Sequence, residues 1–184
     1  MRRIALGVIA ATALLLMTGA FVMAHPGLAM DSRPRVYVAK VNGTIEQGLA
    51  RYVDRVFDTA EREKAAAVIV EVSTPGGRVD SAIAIKDRIM RSPVTTIAHV
   101  RGHAWSAGAL VTLSAERVAM APGSSIGSAE PRPLDEKVLS AWRAELESTA
   151  ERRGRNPQLA AGMADTEIVI PGVKEKGRLL NLTW

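Results

Sequence analysis

Polar and apolar positions alternate through RVYVAKV, from Arg35 to Val41, a period of two that predicts a strand ending at the turn signal Asn42-Gly43. Between Glu46 and Glu63 the apolar residues Leu49, Val53, Val56, Phe57 and Ala60 recur at helical spacing. AAAVIVEVS, Ala65 to Ser73, is a continuous apolar run rich in β-branched residues. It predicts a strand covered on both faces, ending at Thr74-Pro75-Gly76-Gly77. A helix is predicted over Val79 to Met90, with Val79, Ile83, Lys86 and Met90 on one side and Pro93 closing it. VTTIAHV, Val94 to Val100, predicts a third strand, GHAWSAG leads into a helix of small residues, and RVAMA, Arg117 to Ala121, predicts a short fourth strand.

Strands alternating with helices in this way predict an α/β domain, with a parallel sheet, helices on its faces and right-handed crossovers. Ligands of such sheets bind beyond the carboxyl ends of the strands. STPGG and GHAWSAG each follow a predicted strand directly, so both fall on that edge. Further on, a long helix is predicted from Asp135 to Gly154, with Val138, Leu139, Trp142 and Leu146 on one side. Asn156 as cap and Pro157 at the first helical position start another helix that runs to Ala164. In the tail from Glu167 to Trp184, IVIPG and LLNLT predict strands.

The N-terminus adds a location. Arg2 and Arg3 precede a nearly unbroken apolar run, Ile4 to Met23, followed by small residues at Ala24 and Ala29, the pattern of an export signal. Cleavage after either alanine would release a mature chain that holds the domain, residues 31–184. The run also has the ~20 residues needed to cross ~30 Å of hydrocarbon, so residues 1–30 are either a signal peptide or an N-terminal membrane anchor. In both cases the basic pair keeps the N-terminus in the cytoplasm and sends the rest to the extracytoplasmic side.

Composition narrows the function. With 184 residues, 47% apolar and 23% charged, the chain can build a substantial core. The net charge of +5 shrinks to +3 without residues 1–30, and the remaining charges are interspersed in EREK, ERRGR and KEKGR rather than gathered in a stripe. Nucleic acid is therefore not an expected partner. The absence of cysteine excludes disulfides, thiolate nucleophiles and cysteine metal sites. His99 and His103 lack a third ligand, so neither a metal nor any other cofactor is expected.

Two readings of Ser106 stand side by side. A serine followed by Ala-Gly-Ala is a good helix N-cap, and Pro-Gly-Gly is a good turn. Alternatively, Ser106 presents its hydroxyl at the ligand edge, where the unpaired N–H groups of a helix start favour negative charge. Gly76 or Gly77, which lack side chains, would let a backbone amide approach a substrate carbonyl and form an oxyanion hole with the amide of Ala107. A serine needs a base to take its proton. His25 lies in the export region, His99 within a strand and His103 on the approach to Ser106, so each reads as structural. A lysine serves only if its surroundings let it lose its proton. Lys137, at the start of the long helix after PGSSIGSAEPRPLDE, could reach back over the edge, although a lysine there also reads as an ordinary surface residue.

STPGGRVDSA, HAWSAGALVTLSAERVAMAPGSSIGSAEP and DEKVLSAW with ERRGRNPQLAAGMAD, in that order, resemble the N-terminal, ClpP-class protease domain of the long-form NfeD membrane proteins, relatives of signal peptide peptidase A. The similarity runs from about Val36 to Thr183. It implies the ClpP/crotonase spiral of ββα units and a serine-lysine dyad that cleaves peptide bonds. By motif, the dyad is Ser106 and Lys137, and the oxyanion donors are Gly76 or Gly77 with Ala107. The implied substrates are hydrophobic segments, notably the C-terminal region of stomatin-like membrane proteins, and a homodimer is the expected assembly. Members of the family continue past KGRLLNLT with a further helix, membrane spans and a small β-barrel, so the C-terminal part of the domain is expected to be incomplete. Two alternatives belong to other classes. One is a catalytically silent module that holds a hydrophobic segment, and the other is the crotonase chemistry of acyl-CoA thioesters, which the export signal opposes.

Overall fold

In the computed structural model, residues 33–184 are described; the segment read as signal or anchor, and His25 within it, lie outside them. β1 (Val36–Asn42), β2 (Ala67–Thr74) and β3 (Thr96–Trp105) lie side by side in parallel, linked by α1 (Gln47–Arg62) and α2 (Val79–Arg91). β3 runs into α3 (Ala107–Ser114), which β4 (Arg117–Met120), β5 (Ser125–Gly127), α4 (Glu136–Arg152), α5 (Pro157–Ala164) and β6 (Asn181–Thr183) follow. The sheet order is β1-β2-β3-β5-β6, with β4 also paired to β3, and only the β5–β6 pair is antiparallel.

β3 is longer than its apolar pattern indicated and carries the architecture of the site. Arg101-Gly102-His103 reads as loop, yet these residues continue the strand. β4 covers the outer edge of β3 from Ile97 to Val100, and β5 covers it from His103 to Trp105. At the change of partner the β2–β3 register also shifts: Val72 lies opposite Val100, but Thr74 lies opposite Ala104. The extra β3 residues form an irregularity of the kind that re-aims side chains next to functional sites. It brings the end of β2 level with the end of β3.

Burial alternates strictly along β2. Val68, Val70, Val72 and Thr74 are buried, whereas Ala67, Ile69, Glu71 and Ser73 are half-buried. β1 and β3 repeat the pattern. The expectation of a strand covered on both faces is thus corrected: a buried core lies on one side of the sheet and the other side stays partly open. Glu71, Ser73 and His99 on the open side explain why, since polar groups tolerate partial hydration better than burial. α3 belongs to the core, with every residue buried.

α2 turns a different face inward from the one its spacing suggested. Ala82, Ile85 and Ile89 are buried, whereas Val79 is exposed and Ile83 and Met90 are half-buried. The helix has apolar residues around much of its circumference, and ion pairs settle the choice. Lys86 is buried and pairs with Asp87 (2.5 Å) and with Glu145 of α4 (2.6 Å). Arg88, 4% exposed, pairs with Asp54, Asp58 and Glu61 of α1 at 2.9, 3.0 and 2.7 Å and stacks over Phe57. Its hydrogen bond to Glu61 is the main reason that this carboxyl titrates below its ordinary value. A depressed carboxyl stabilises the fold above its unfolded value, here 4.5, and that contribution is lost as pH falls through the lower folded value. Arg88→Met is expected to cost about 2–3 kcal/mol, less than a fully buried pair because the carboxylates keep some water. Urea melts of the two proteins check this, and acidification below pH 4.5 should narrow the difference between them.

The downstream helices begin as their caps dictate. The Asp135 carboxylate accepts from the Val138 N–H, and Asn156 accepts from the N–H groups of Gln158 and Leu159 with Pro157 inside the first turn. IVIPG does not form the expected strand. Pro171 and Gly172 (φ 74°) turn the chain back, so Ile170 makes a single bridge to Lys174. The buried Lys174 ammonium fastens this turn by donating to the carbonyls of Thr166 and Ile168.

Candidate active site

Ser106 joins β3 to α3 with φ 52° and ψ −124°, a positive φ that L-residues with a side chain rarely adopt. Such a conformation costs about 1–3 kcal/mol and persists only where the surroundings impose it. They do so here. The Ser106 N–H donates to the Gly127 carbonyl of β5 at 3.0 Å, and the Ser106 carbonyl accepts from the Ala109 N–H at 2.9 Å. Although Ser106 occupies the N-cap position, its hydroxyl makes no capping hydrogen bond. Ser106 thus stands at the cap position without the hydrogen bond that a capping serine makes.

Gly76 is packed against this serine. A Cβ built there would stand 2.5 Å from Ser106 Cβ and 3.0 Å from its Oγ. With φ 109°, the position is one that only glycine occupies readily. Gly77 comes equally close to Ile45, since an added Cβ would lie 2.2 Å from the Ile45 carbonyl oxygen. The Ile45 N–H donates to the Gly76 carbonyl and the Arg78 N–H to the Ile45 carbonyl, each at 2.8 Å, so the loop is fixed to the segment after β1.

The two glycine amides differ. The Gly76 N–H donates to Thr74 Oγ1 at 3.0 Å and is not free for a ligand. Neither the Gly77 N–H nor the Ala107 N–H donates to another group, and both residues line the cleft that holds Ser106. That cleft encloses about 430 Å³ and is walled by Pro75, Val79, Trp105, Pro131, Trp142 and Leu179, with Glu130 and Arg132 at its charged margin. Its lining mixes these apolar side chains with polar groups in about equal share. Trp105 is fixed by stacking on His103 (ring centroids 4.3 Å apart) and by donating its indole N–H to Ser125 Oγ at 2.9 Å. His103 is thus a packing partner of the wall.

Lys137 lies in the first turn of α4, is exposed and is not among the residues that line the cleft. Ser106, Gly77 and Ala107 share that lining, and Gly76 packs against Ser106. The two buried lysines offer no substitute. Burial alone would lower the Lys86 pKa, but hydrogen bonds to Asp87 and Glu145 outweigh it and hold the ammonium charged. Lys174 is surrounded by carbonyls in its own turn. Among the described residues no cluster of His, Asp or Glu has the composition of a metal site.

Several contributors carried no obvious sign in the sequence. Gly127, quoted within SIG, supplies the carbonyl that holds Ser106. The Ser128 N–H donates to the Leu180 carbonyl at 3.0 Å, and the Ala129 N–H donates to the Met163 carbonyl at 2.6 Å. Residues 127–129 are thereby held between Ser106, α5 and the segment leading into β6. Thr74 was the legible one: it is a polar residue on the buried register of Val68, Val70 and Val72.

Residues 35–184 match the family described as NfeD1b, N-terminal domain. Over 173 residues the chain is 36% identical to membrane protein NfeD1b of Bacillus subtilis, covering 89% of this chain and 40% of that one. Over 151 residues it is 34% identical to membrane-bound protease PH1510 of Pyrococcus horikoshii, covering 75% and 34%. The chain therefore spans well under half the length of these curated relatives. Among solved structures it superposes on a serine-to-alanine variant of the 1510-N membrane-bound stomatin-specific protease with TM-score 0.73, at 30% identity over 83% of this chain and 74% of that one. A lysine-to-alanine variant of that protease, in complex with a substrate peptide, gives TM-score 0.72. ClpP1 of Listeria monocytogenes, 18% identical with TM-score 0.63 over 79% of this chain and 82% of that one, shares the fold. The expected ClpP-like architecture is borne out.

Proposed function

Since the chain belongs to the NfeD1b N-terminal domain family, we propose that it is a serine endopeptidase domain that cuts hydrophobic peptide segments at the extracytoplasmic side of a membrane. The observation that carries this reading is Ser106, held at positive φ with an uncommitted hydroxyl beside the free N–H groups of Gly77 and Ala107. Ser106 Oγ attacks the scissile carbonyl, and the oxyanion rests on those amides, each worth about 3–4 kcal/mol in the transition state. The base is Lys137, brought to Ser106 when a peptide fills the cleft and the strap from Glu130 to Lys137 moves in with it. Lys137 passes the serine's proton to the leaving amine as the C–N bond breaks, and water, deprotonated by the same lysine, then hydrolyses the acyl ester to a carboxylic acid and returns the proton to Ser106.

The apolar walls at Val79, Trp105 and Trp142 suit an apolar segment. By kinship with a stomatin-specific protease, the proposed substrate is the C-terminal region of a stomatin-like membrane protein. Both curated relatives are named as membrane proteins. Among the described residues no helix is long and apolar enough to cross a bilayer. In this reading the basic pair and apolar run of residues 1–30 provide the export or anchoring. The proposed assembly is a homodimer.

A serine-reactive phosphonate tests the proposal. It should label the protein at Ser106, as mapped by peptide mass spectrometry. Lys137→Ala should slow labelling and cleavage by about 10²–10⁴-fold, because the serine then has no base to take its proton. A second reading, the catalytically silent binding module, draws on the position of Lys137 outside the cleft. Tight binding of a hydrophobic peptide without labelling or cleavage would decide for it.

A further inference from the structure

Thr74 is fully buried at the end of β2, where the β2–β3 register has just shifted. Its hydroxyl donates to the Gly43 carbonyl at 2.5 Å and accepts from the Gly76 N–H at 3.0 Å. Its methyl group faces α3, where a Cβ added to Gly108 would come within 2.5 Å of Thr74 Cγ2. One side chain therefore touches the turn after β1, the glycine loop and the first turn of the helix behind Ser106.

We infer that Thr74 is a positioning residue that selects which glycine amide faces the cleft. The Gly76 carbonyl, which accepts from the Ile45 N–H, belongs to the same planar peptide unit as the Gly77 N–H, so that N–H points away from Ile45 as long as the loop keeps this bond. By holding the Gly76 N–H inward, the hydroxyl leaves the Gly77 N–H for the ligand. Without it, the buried Gly76 donor would lack a partner and Gly43 would lose its donor. The loop then relieves both by rotating, and the oxyanion donor moves. The methyl group adds a separate effect by fixing the distance from this loop to α3, and so to the Ala107 amide.

The inference rests on the peptidase reading for its kinetic consequence but not for its structural one. In Thr74→Val, which keeps the methyl group and loses the hydroxyl, kcat for peptide cleavage should fall by about 10²-fold, as for a misplaced oxyanion donor. KM should hold, phosphonate labelling should slow in proportion, and Thr74→Ser should recover most of the rate. Amide hydrogen exchange of the same proteins should show faster exchange at Gly76 in the valine variant and not in the serine variant. If Thr74→Val melts below the assay temperature, the same measurements are made on it below its melting point, beside the wild type at that temperature. A valine variant with the wild-type kcat and labelling rate overturns the inference, as does a serine variant as slow as valine. If the wild type neither cleaves nor labels, the peptidase reading fails by itself. Exchange at Gly76 then still decides the role of Thr74.

Discussion

Ser106→Ala is expected to bring peptide cleavage down to the background while leaving the fold and the affinity for peptide intact. The other hydroxyl of the cleft lining, Ser128, belongs to the segment after β5 and not to the β3–α3 junction that Ser106 occupies. Removing a serine nucleophile elsewhere costs as much as removing the whole catalytic set, up to about 10⁶-fold in kcat. What survives comes from binding and from the oxyanion donors, which the substitution does not touch. Stability should change by less than about 0.5 kcal/mol, because the Ser106 hydroxyl makes no hydrogen bond and the backbone keeps its bonds to Gly127 and Ala109. This combination separates catalysis from folding more cleanly than most active-site substitutions do. Progress curves with a hydrophobic peptide, a thermal melt and a binding titration measure the three quantities. Cleavage by Ser106→Ala at the wild-type rate would remove the peptidase assignment from Ser106.

The reading of Ser106 depended on information of two kinds, and only one was local. Its place after a strand and before a small-residue helix was visible in the alternation of VTTIAHV and in the run SAGALVTLSA. Its backbone angle was not, because the strain is imposed by the Gly127 carbonyl some 20 residues away in sequence. The choice between Gly76 and Gly77 likewise needed the Thr74 hydroxyl, although a threonine in phase with Val68, Val70 and Val72 was there to be read. Periodicity misplaced the inward face of α2 because apolar residues surround that helix, and the deciding groups were the charged Lys86 and Arg88 with partners on other helices. It also ended β3 too soon, since Arg101-Gly102-His103 spans the place where the edge partner changes from β4 to β5 and the β2 register shifts, and it has no apolar pattern of its own. Lys137 is the instructive residue. Its assignment came from the order of motifs, which fixes where a residue lies along the chain and leaves open how the strap before α4 is folded.

Gly76→Ala should damage folding and catalysis together, in contrast to the serine substitution. The new methyl carbon would meet Ser106 Cβ at 2.5 Å and the Trp105 carbonyl oxygen at 3.2 Å, distances that require one partner to move. Ser106 cannot move freely, for its N–H is held by Gly127 and its carbonyl by the first turn of α3. The glycine loop is no freer, being tied to Ile45 on one side and to Thr74 on the other. Alanine at φ 109° adds its own backbone strain of about 1–3 kcal/mol, and overpacking adds a similar amount. The expected total, about 2–6 kcal/mol, is a large fraction of the stability of an ordinary domain, about 5–15 kcal/mol. Any molecules that do fold must yield where the contact is worst, so Ser106 and the Gly77 amide shift relative to each other and kcat falls by about 10²-fold or more. Urea denaturation with peptide cleavage, measured on the fraction that remains folded, reads both effects. A variant as stable and as active as the wild type would mean that the loop and Ser106 are not packed as closely as this geometry requires, and the oxyanion arrangement built on that packing would fall with it.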